Sequence, residues 1–315
     1  MRAPPRRPRT TRPADGTLTL GGRIQKVEVV ANIASGGVAD DAPATAEKIL
    51  ADFGLQGRVC ATDADDLTRC VQAAIDASPD LLVILAGDGT ARTAVQLSGA
   101  GGPLIAPLPG GTMNMLPKAV YGTTDWAEAL RAALERGEPK MISGGRVDDH
   151  PFYCAAVLGA PALWAPAREA LRERKVRLTW LYGRRALRRA FSGRIRYRLD
   201  GGPVRRAEAL VLISPLISAA LDRPEGLEAA VMTPTDAAEA FRLAARAVFS
   251  DWRADPAVET RVVREVEVTA RSRIPAILDG ETVHLEDRAR VRFTPRAFRA
   301  LAPVPEPPPE DTGEI

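Results

Sequence analysis

Leu81-Leu-Val-Ile-Leu-Ala-Gly-Asp-Gly-Thr90 decides how this chain is read. A uniformly apolar run ends without transition in Gly87-Asp88-Gly89-Thr90. So short and apolar a run fits a strand buried on both faces of a parallel sheet, and the glycines mark where the backbone leaves its carboxyl end. Open α/β sheets bind ligands at that edge. Glycine lets main-chain N–H groups approach an anion with no Cβ in the way, and the positive end of a following helix adds to the attraction. Asp88 has the chemistry to hold a metal or a hydroxyl. Taken alone, Gly-Asp-Gly is also an ordinary strand-to-helix turn.

The neighbouring stretch repeats the pattern. Pro103-Leu-Ile-Ala-Pro-Leu-Pro-Gly-Gly-Thr-Met-Asn114 is a second apolar run ending in glycines, with Thr112 and Asn114 as short polar side chains at a helix start. There they either contact a ribose or phosphate or cap the helix. Two such turns on adjacent strands point to a nucleotide-phosphate site. Upstream, Val27–Ala31 reads as a strand, followed by Asn32-Ile-Ala-Ser-Gly-Gly37 and a helix beginning near Asp41, with Pro43 in its first turn and Gly54 after its end. A short strand at 58–61, a helix at 65–77, a helix from Ala91, a strand at 104–108 and a helix at 126–135 complete the alternation. That order predicts a parallel sheet with helices on both faces.

Composition sets the outer bounds. The chain has 315 residues, 45% hydrophobic and 26% charged, which suits a globular protein of two domains. The net charge of +3 hides opposed ends. Five arginines lie among prolines before Asp15, and Glu306, Glu310, Asp311 and Glu314 close the chain. Both ends read as disordered tails. Cys60, Cys70 and Cys154 lack framework spacing and read as reduced core residues of a cytoplasmic protein. No apolar segment resembles a signal peptide or a membrane span.

After about Gly145 the pattern changes. Segments at 146–147, 152–157, 209–214, 261–270 and 288–293 read as strands, several with period-2 alternation, and predict a β-sandwich. Helical inserts are expected at 162–174, 178–191 and 236–249. The expected organisation is a basic tail at 1–22, an α/β nucleotide-binding domain at 23–143 and a C-terminal β-sandwich at 144–297. Residues 298–305 return to the first domain, and 306–315 form an acidic tail. Within the second domain, Pro275-Ala-Ile-Leu-Asp-Gly-Glu281 places two carboxylates around one glycine. Asp-Gly is among the strongest hairpin dipeptides. The chemical reading makes Asp279 a general base and Glu281 its orienting or cation-binding neighbour.

Gly-Asp-Gly-Thr, Pro-Gly-Gly-Thr-x-Asn and a late Asp-Gly-Glu, in this order, resemble the bacterial lipid kinases of the diacylglycerol kinase family, relatives of sphingosine kinases. The resemblance spans roughly Lys26 to Pro303. It implies an α/β ATP-binding domain and a β-sandwich lipid domain, with Mg2+ and ATP in the cleft between them. On that pattern Gly87, Asp88, Gly89 and Thr90 bind phosphates and magnesium, with Asp88 as the metal-facing group. Gly110, Gly111, Thr112 and Asn114 complete the pocket. Asn32, Ser35 and Gly36 match the first nucleotide loop, and Asp279, Glu281 and Asp88 form the catalytic set. The implied reaction is phosphoryl transfer from ATP to the hydroxyl of diacylglycerol or a related lipid.

This chain departs from the pattern at several positions. Ile33 stands in place of a proline, Ala86 of a glycine, Thr93 of a glutamate and Met115 of an aspartate, and no basic residue follows Gly37. Two other readings therefore stay open: a soluble-substrate kinase of the NAD kinase type, and a non-catalytic nucleotide- or lipid-binding protein. The segment 172–198 is strongly basic, and Arg184, Arg185, Arg188 and Arg189 recur at helical spacing, with Trp180, Leu181, Leu187 and Phe191 interleaved along it. A basic amphipathic helix of this kind can rest on anionic phospholipid. The expected setting is peripheral to a membrane, with a lipid substrate, no nucleic-acid partner, and a homodimer compatible with the sequence.

Overall fold

The computed structural model describes residues 24–63, 66–159, 195–218, 225–233 and 258–304. The first half alternates as β1 (Val27–Asn32), α1 (Ala42–Asp52), β2 (Gly57–Thr62), α2 (Leu67–Asp76), β3 (Leu81–Ala86), α3 (Asp88–Ser98) and β4 (Leu104–Pro109). Two helices follow, α4 (Met115–Tyr121) and α5 (Trp126–Arg136). Strands β2, β1, β3 and β4 lie side by side and parallel. Every residue of β3 is buried, as its unbroken apolar sequence requires. The helices cover both faces. Ile49, Leu50, Ala129 and Leu130 pack on one side of the sheet, and Val71, Ala94 and Val95 on the other.

The second half supplies β5 (Gly137–Val147), β6 (His150–Phe152), β7 (Ala155–Gly159), β8 (Ile195–Leu199), β9 (Arg205–Ala207), β10 (Ala209–Ile213) and β11 (Leu227–Met232). It continues with β12 (Val258–Val263), β13 (Glu265–Thr269), β14 (Ile274–Leu278), β15 (Glu281–Leu285) and β16 (Arg288–Pro303). Strands β12, β11, β10, β7, β14 and β15 form a separate antiparallel sheet. The others extend the parallel sheet in the order β4, β16, β13, β8, β9, with β5 and β6 paired beyond β16. Inward residues of the two sheets share one core, including Tyr197, Val266, Val291, Leu158, Leu212 and Leu278. The expected sandwich is therefore present beside the α/β sheet.

Two long strands join the halves. Strand β16 pairs with β13 near its start, reaches β4 at Ala300, and runs antiparallel to β5 from Val291 to Pro303. A register shift between Thr294 and Phe298 turns it from one packing layer to the other. Residues 143 and 144 both fall inside β5.

Several expectations need correction. The stretch 261–270 is two strands: β12 belongs to the separate sheet and β13 to the extended one, and Arg264 makes the crossing between them. The buried valines step from Val263 to Val266 across it, and no glycine or proline marks the break. Helix α3 starts at Asp88, not Ala91. Cys60 and Cys70 form a disulfide, with Cα atoms 6.3 Å apart, instead of remaining thiols. Packing of α2 against β1 and β2 brings them together. Cys154 is free and buried. The expected helical inserts, including Arg184, Arg185, Arg188 and Arg189, and both tails lie outside the described residues. Among the described residues no helix is long and apolar enough to cross a membrane.

Candidate active site

Three loops at the carboxyl ends of β1, β3 and β4 stack on one another through main chain. The Gly37 N–H donates to the Gly110 carbonyl at 3.1 Å, and the Gly110 N–H donates to the Ala86 carbonyl at 3.1 Å. The Ser35 hydroxyl donates to the same Gly110 carbonyl. A Cβ on Gly111 would lie 2.6 Å from the Gly87 Cα, and one on Gly110 would lie 2.8 Å from the Ala86 nitrogen. These two glycines are thus demanded by the approach of one turn to the next.

The short polar side chains brace this stack. Asn32 accepts from the Ala34 N–H at 3.0 Å, closing its own turn. Asn114 sits at φ +50, accepts from the Gly111 N–H and donates to the Gly111 carbonyl, both at 2.8 Å. Asp88 is buried, and its two oxygens accept from the Met115 and Leu116 N–H groups at 3.1 Å. It therefore begins α3 while capping α4 across the turn. Thr90 is half-buried; Gly36 and Thr112 are exposed.

The Asp-Gly-Glu segment comes from far along the chain and lands on this stack. Asp279 at φ +46 and Gly280 at φ +87 form the two-residue turn between β14 and β15. The hairpin reading is correct, and the turn also carries the carboxylates. Asp279 is 4% exposed and accepts from three main-chain N–H groups: Tyr153 at 2.7 Å, Cys154 at 2.8 Å and Ala155 at 2.9 Å. Its own N–H returns a bond to the Ala155 carbonyl at 2.9 Å. Glu281 reaches the first turn of α3, where a Cβ on Gly89 would stand 2.8 Å from its Oε1. It also pairs with Arg92, whose side chain is mostly buried. A Cβ on Gly280 would touch Met113 and Met115 at 3.4 Å. All three motifs meet at one place.

Electrostatics follow from this packing. Burial pushes the Asp279 carboxyl above its ordinary range against the pull of its three amide donors and the charge of Arg92. Asp88 is likewise raised by burial, and the neighbouring Glu281 charge adds to the shift while its amide donors oppose it. The Cys154 thiol is pushed well up by burial and by the fields of Asp279 and Asp88 together.

A cation would relieve the mutual repulsion of Asp88 and Glu281. Mg2+ takes one or two carboxylates and completes its shell with phosphate oxygens and water, so this pair suits Mg2+ carried on a nucleotide. Among the described residues no group of three or more His, Cys, Asp or Glu forms a metal cage of its own.

Arg92 is the site residue that sequence reasoning missed. It lies one helical turn beyond Gly89 and so points to the same side. A lone arginine after Gly-Asp-Gly-Thr gave no sign that its partner lay 189 positions away.

The chain is similar to known proteins in the same sense. Residues 26–147 match the family profile of the diacylglycerol kinase catalytic domain. Among solved structures, a diacylglycerol kinase from Bacillus anthracis str. Sterne aligns at TM-score 0.60 and 15% identity, over 89% of this chain and 97% of its own. Two further proteins of that strain, named provisionally for the same activity, align at TM-score 0.65 with 18% and 15% identity, each over 89% of this chain and 98% of its own. At such identities the likeness is one of fold.

Proposed function

We propose that this chain, whose residues 26–147 match the diacylglycerol kinase catalytic-domain profile, transfers the γ-phosphoryl group of ATP to the hydroxyl of a diacylglycerol-like lipid. The observation that carries the reading is the seating of Glu281 against Gly89 and Arg92, because it brings the Asp279 turn onto the start of α3. The main-chain N–H groups of the stacked turns and the amino end of α3 face the nucleotide phosphates. Asp88 and Glu281 would hold Mg2+, and the ion would supply positive charge to offset that of the nucleotide phosphates.

Asp279 takes the proton of the acceptor hydroxyl as that oxygen attacks phosphorus. Its Oδ2 accepts a single main-chain bond, from Tyr153, and keeps a lone pair for this task. Its raised pKa makes it a stronger base than a carboxylate in water. The missing basic residue after Gly37 is offset by Arg92, a cation paired with Glu281 whose charge reaches Asp279.

Incubation of the purified full chain with labelled ATP and Mg2+ tests this reading. The acceptors are diacylglycerol and monoacylglycerol in detergent, a sphingoid base and a soluble dinucleotide. Label is expected on a glycerolipid and is expected to fall at least a hundredfold in Asp279→Asn. Label on the dinucleotide alone would establish the soluble-substrate alternative. Nucleotide binding by calorimetry with no labelled acceptor would establish a sensor.

A further inference from the structure

The outer face of the extended sheet in the sandwich half is crowded with arginine. Register places Arg206 of β9, Arg196 of β8, Thr269 of β13 and Arg288 of β16 in one row across four strands. The three arginines are exposed, while their strand neighbours Ile195, Tyr197, Ala207 and Ala289 point into the core. Neighbouring strands lie about 4.8 Å apart, so the row spans roughly 14 Å.

The carboxylates on this face stand elsewhere. Glu267 pairs with Arg198 at 3.4 Å, and Glu265 pairs with Arg290 and Arg292. Both belong to rows nearer the other end of the strands. The turns beside the arginine row are balanced, with Arg271 and Arg273 against Glu286 and Asp287. Like charges directly opposite one another destabilise a sheet. Arg196 and Arg206, directly opposed, therefore carry a cost that an anionic partner would remove, and Arg288 extends the same row beyond Thr269.

We propose that this arginine row docks the protein on the anionic surface of a lipid membrane. The inference rests on the lipid acceptor proposed above, since such an acceptor is held in a bilayer. The exposed arginines of the row complement lipid phosphates by charge. Among the described residues this face presents no helix for a nucleic-acid groove, and Tyr197 of β8 faces inward. In the sequence, the basic segment 172–194 immediately precedes β8.

The test is co-sedimentation of the full chain with phosphatidylglycerol–phosphatidylcholine vesicles and with pure phosphatidylcholine vesicles, without ATP or acceptor. Each arginine near an anionic surface strengthens binding about fivefold. The variant Arg196→Gln, Arg206→Gln, Arg288→Gln is expected to lose about two orders of magnitude of binding to the anionic vesicles. Thr269→Lys, which adds a charge to the same row, is expected to gain about fivefold. The control Lys48→Gln, Arg69→Gln, Arg131→Gln removes equal charge from exposed positions of the α/β half and is expected to bind like wild type.

Unchanged binding in the row variant, or an equal loss in the control, would overturn the proposal. So would wild-type preference for a short RNA over anionic vesicles. Transfer to a detergent-dispersed acceptor is measured in parallel and should be unaffected in the row variant. Loss of vesicle binding with transfer intact isolates docking from catalysis. Absence of transfer in the wild type speaks only to the function proposed above.

Discussion

Gly89→Ala separates stability from activity at this site. Gly89 sits in the first turn of α3, so alanine there relieves a conformational cost of at most about 1 kcal/mol. The added Cβ would stand 2.8 Å from Glu281 Oε1, where ordinary contact begins at 3.4 Å. The carboxylate must retreat by roughly half an ångström or swing away from Arg92, forfeiting an ion pair whose partners are 21% and 45% exposed. At that exposure the pair contributes about 1 kcal/mol or less. The two effects nearly cancel, so the melting temperature should stay within about 4 °C of wild type.

Activity should not stay. Displacing a positioned group by about 1 Å costs on the order of a hundredfold, so kcat/KM for ATP-dependent lipid phosphorylation should fall at least tenfold. Gly101→Ala meets nothing within 4 Å and serves as the control. In a Glu281→Ala background the clash is gone, and Gly89→Ala should add no further loss. Wild-type kcat/KM in Gly89→Ala would refute the reasoning. A melting point lower by more than 10 °C would also refute it, by showing that the methyl strains the fold and not the carboxylate.

Other outcomes follow from the same geometry. Arg92→Glu and Glu281→Arg should each lower kcat at least tenfold, and the double swap should recover part of that loss in the same assay. Asp279→Asn sets an amide NH2 against main-chain donors at Tyr153 or at Cys154 and Ala155, so urea unfolding should show a loss of about 2–4 kcal/mol alongside the lost activity. Asp279 titrates above the ordinary carboxylate range, so the acid limb of the kcat/KM profile should lie above that range too. For stability the sign is opposite. Native Asp279 and Asp88 hold their protons more tightly than the unfolded chain does, so their contribution is full below the ordinary carboxylate pKa. It is lost as pH rises through the raised values, and melting of wild type against Asp88→Asn across that window reads it. Reducing the Cys60–Cys70 bridge, which spans a separation of 10 residues, should cost about 2–3 kcal/mol in urea unfolding.

The α/β half was legible because its signals are local. The apolar run 81–86, Pro43 and Gly54 around α1, and the glycines after β3 and β4 each act within a few residues. The sandwich half was legible only in outline. Strand β5 hides its length behind three glycines and a proline, and the crossing at Arg264 has no glycine or proline to mark it. The polar residues of the glycine turns make structural bonds that no motif announces. Asn32 and Asn114 bond within their own loops, Ser35 joins two loops, and Asp88 caps a helix, because buried main-chain donors and acceptors near them require partners.

Local sequence determined that this chain has a parallel sheet with glycine turns at its edge, and that an Asp-Gly hairpin follows an apolar strand late in the chain. Residue types within a few positions of one another settle such matters through backbone sterics and period. Only the tertiary structure decided that the hairpin of β14 and β15 seats Glu281 on Gly89 and Arg92, that Asp279 is buried among three amides, and that Cys60 meets Cys70. These contacts arise from how two sheets and the strands they share pack, and no short stretch of residues encodes that distance.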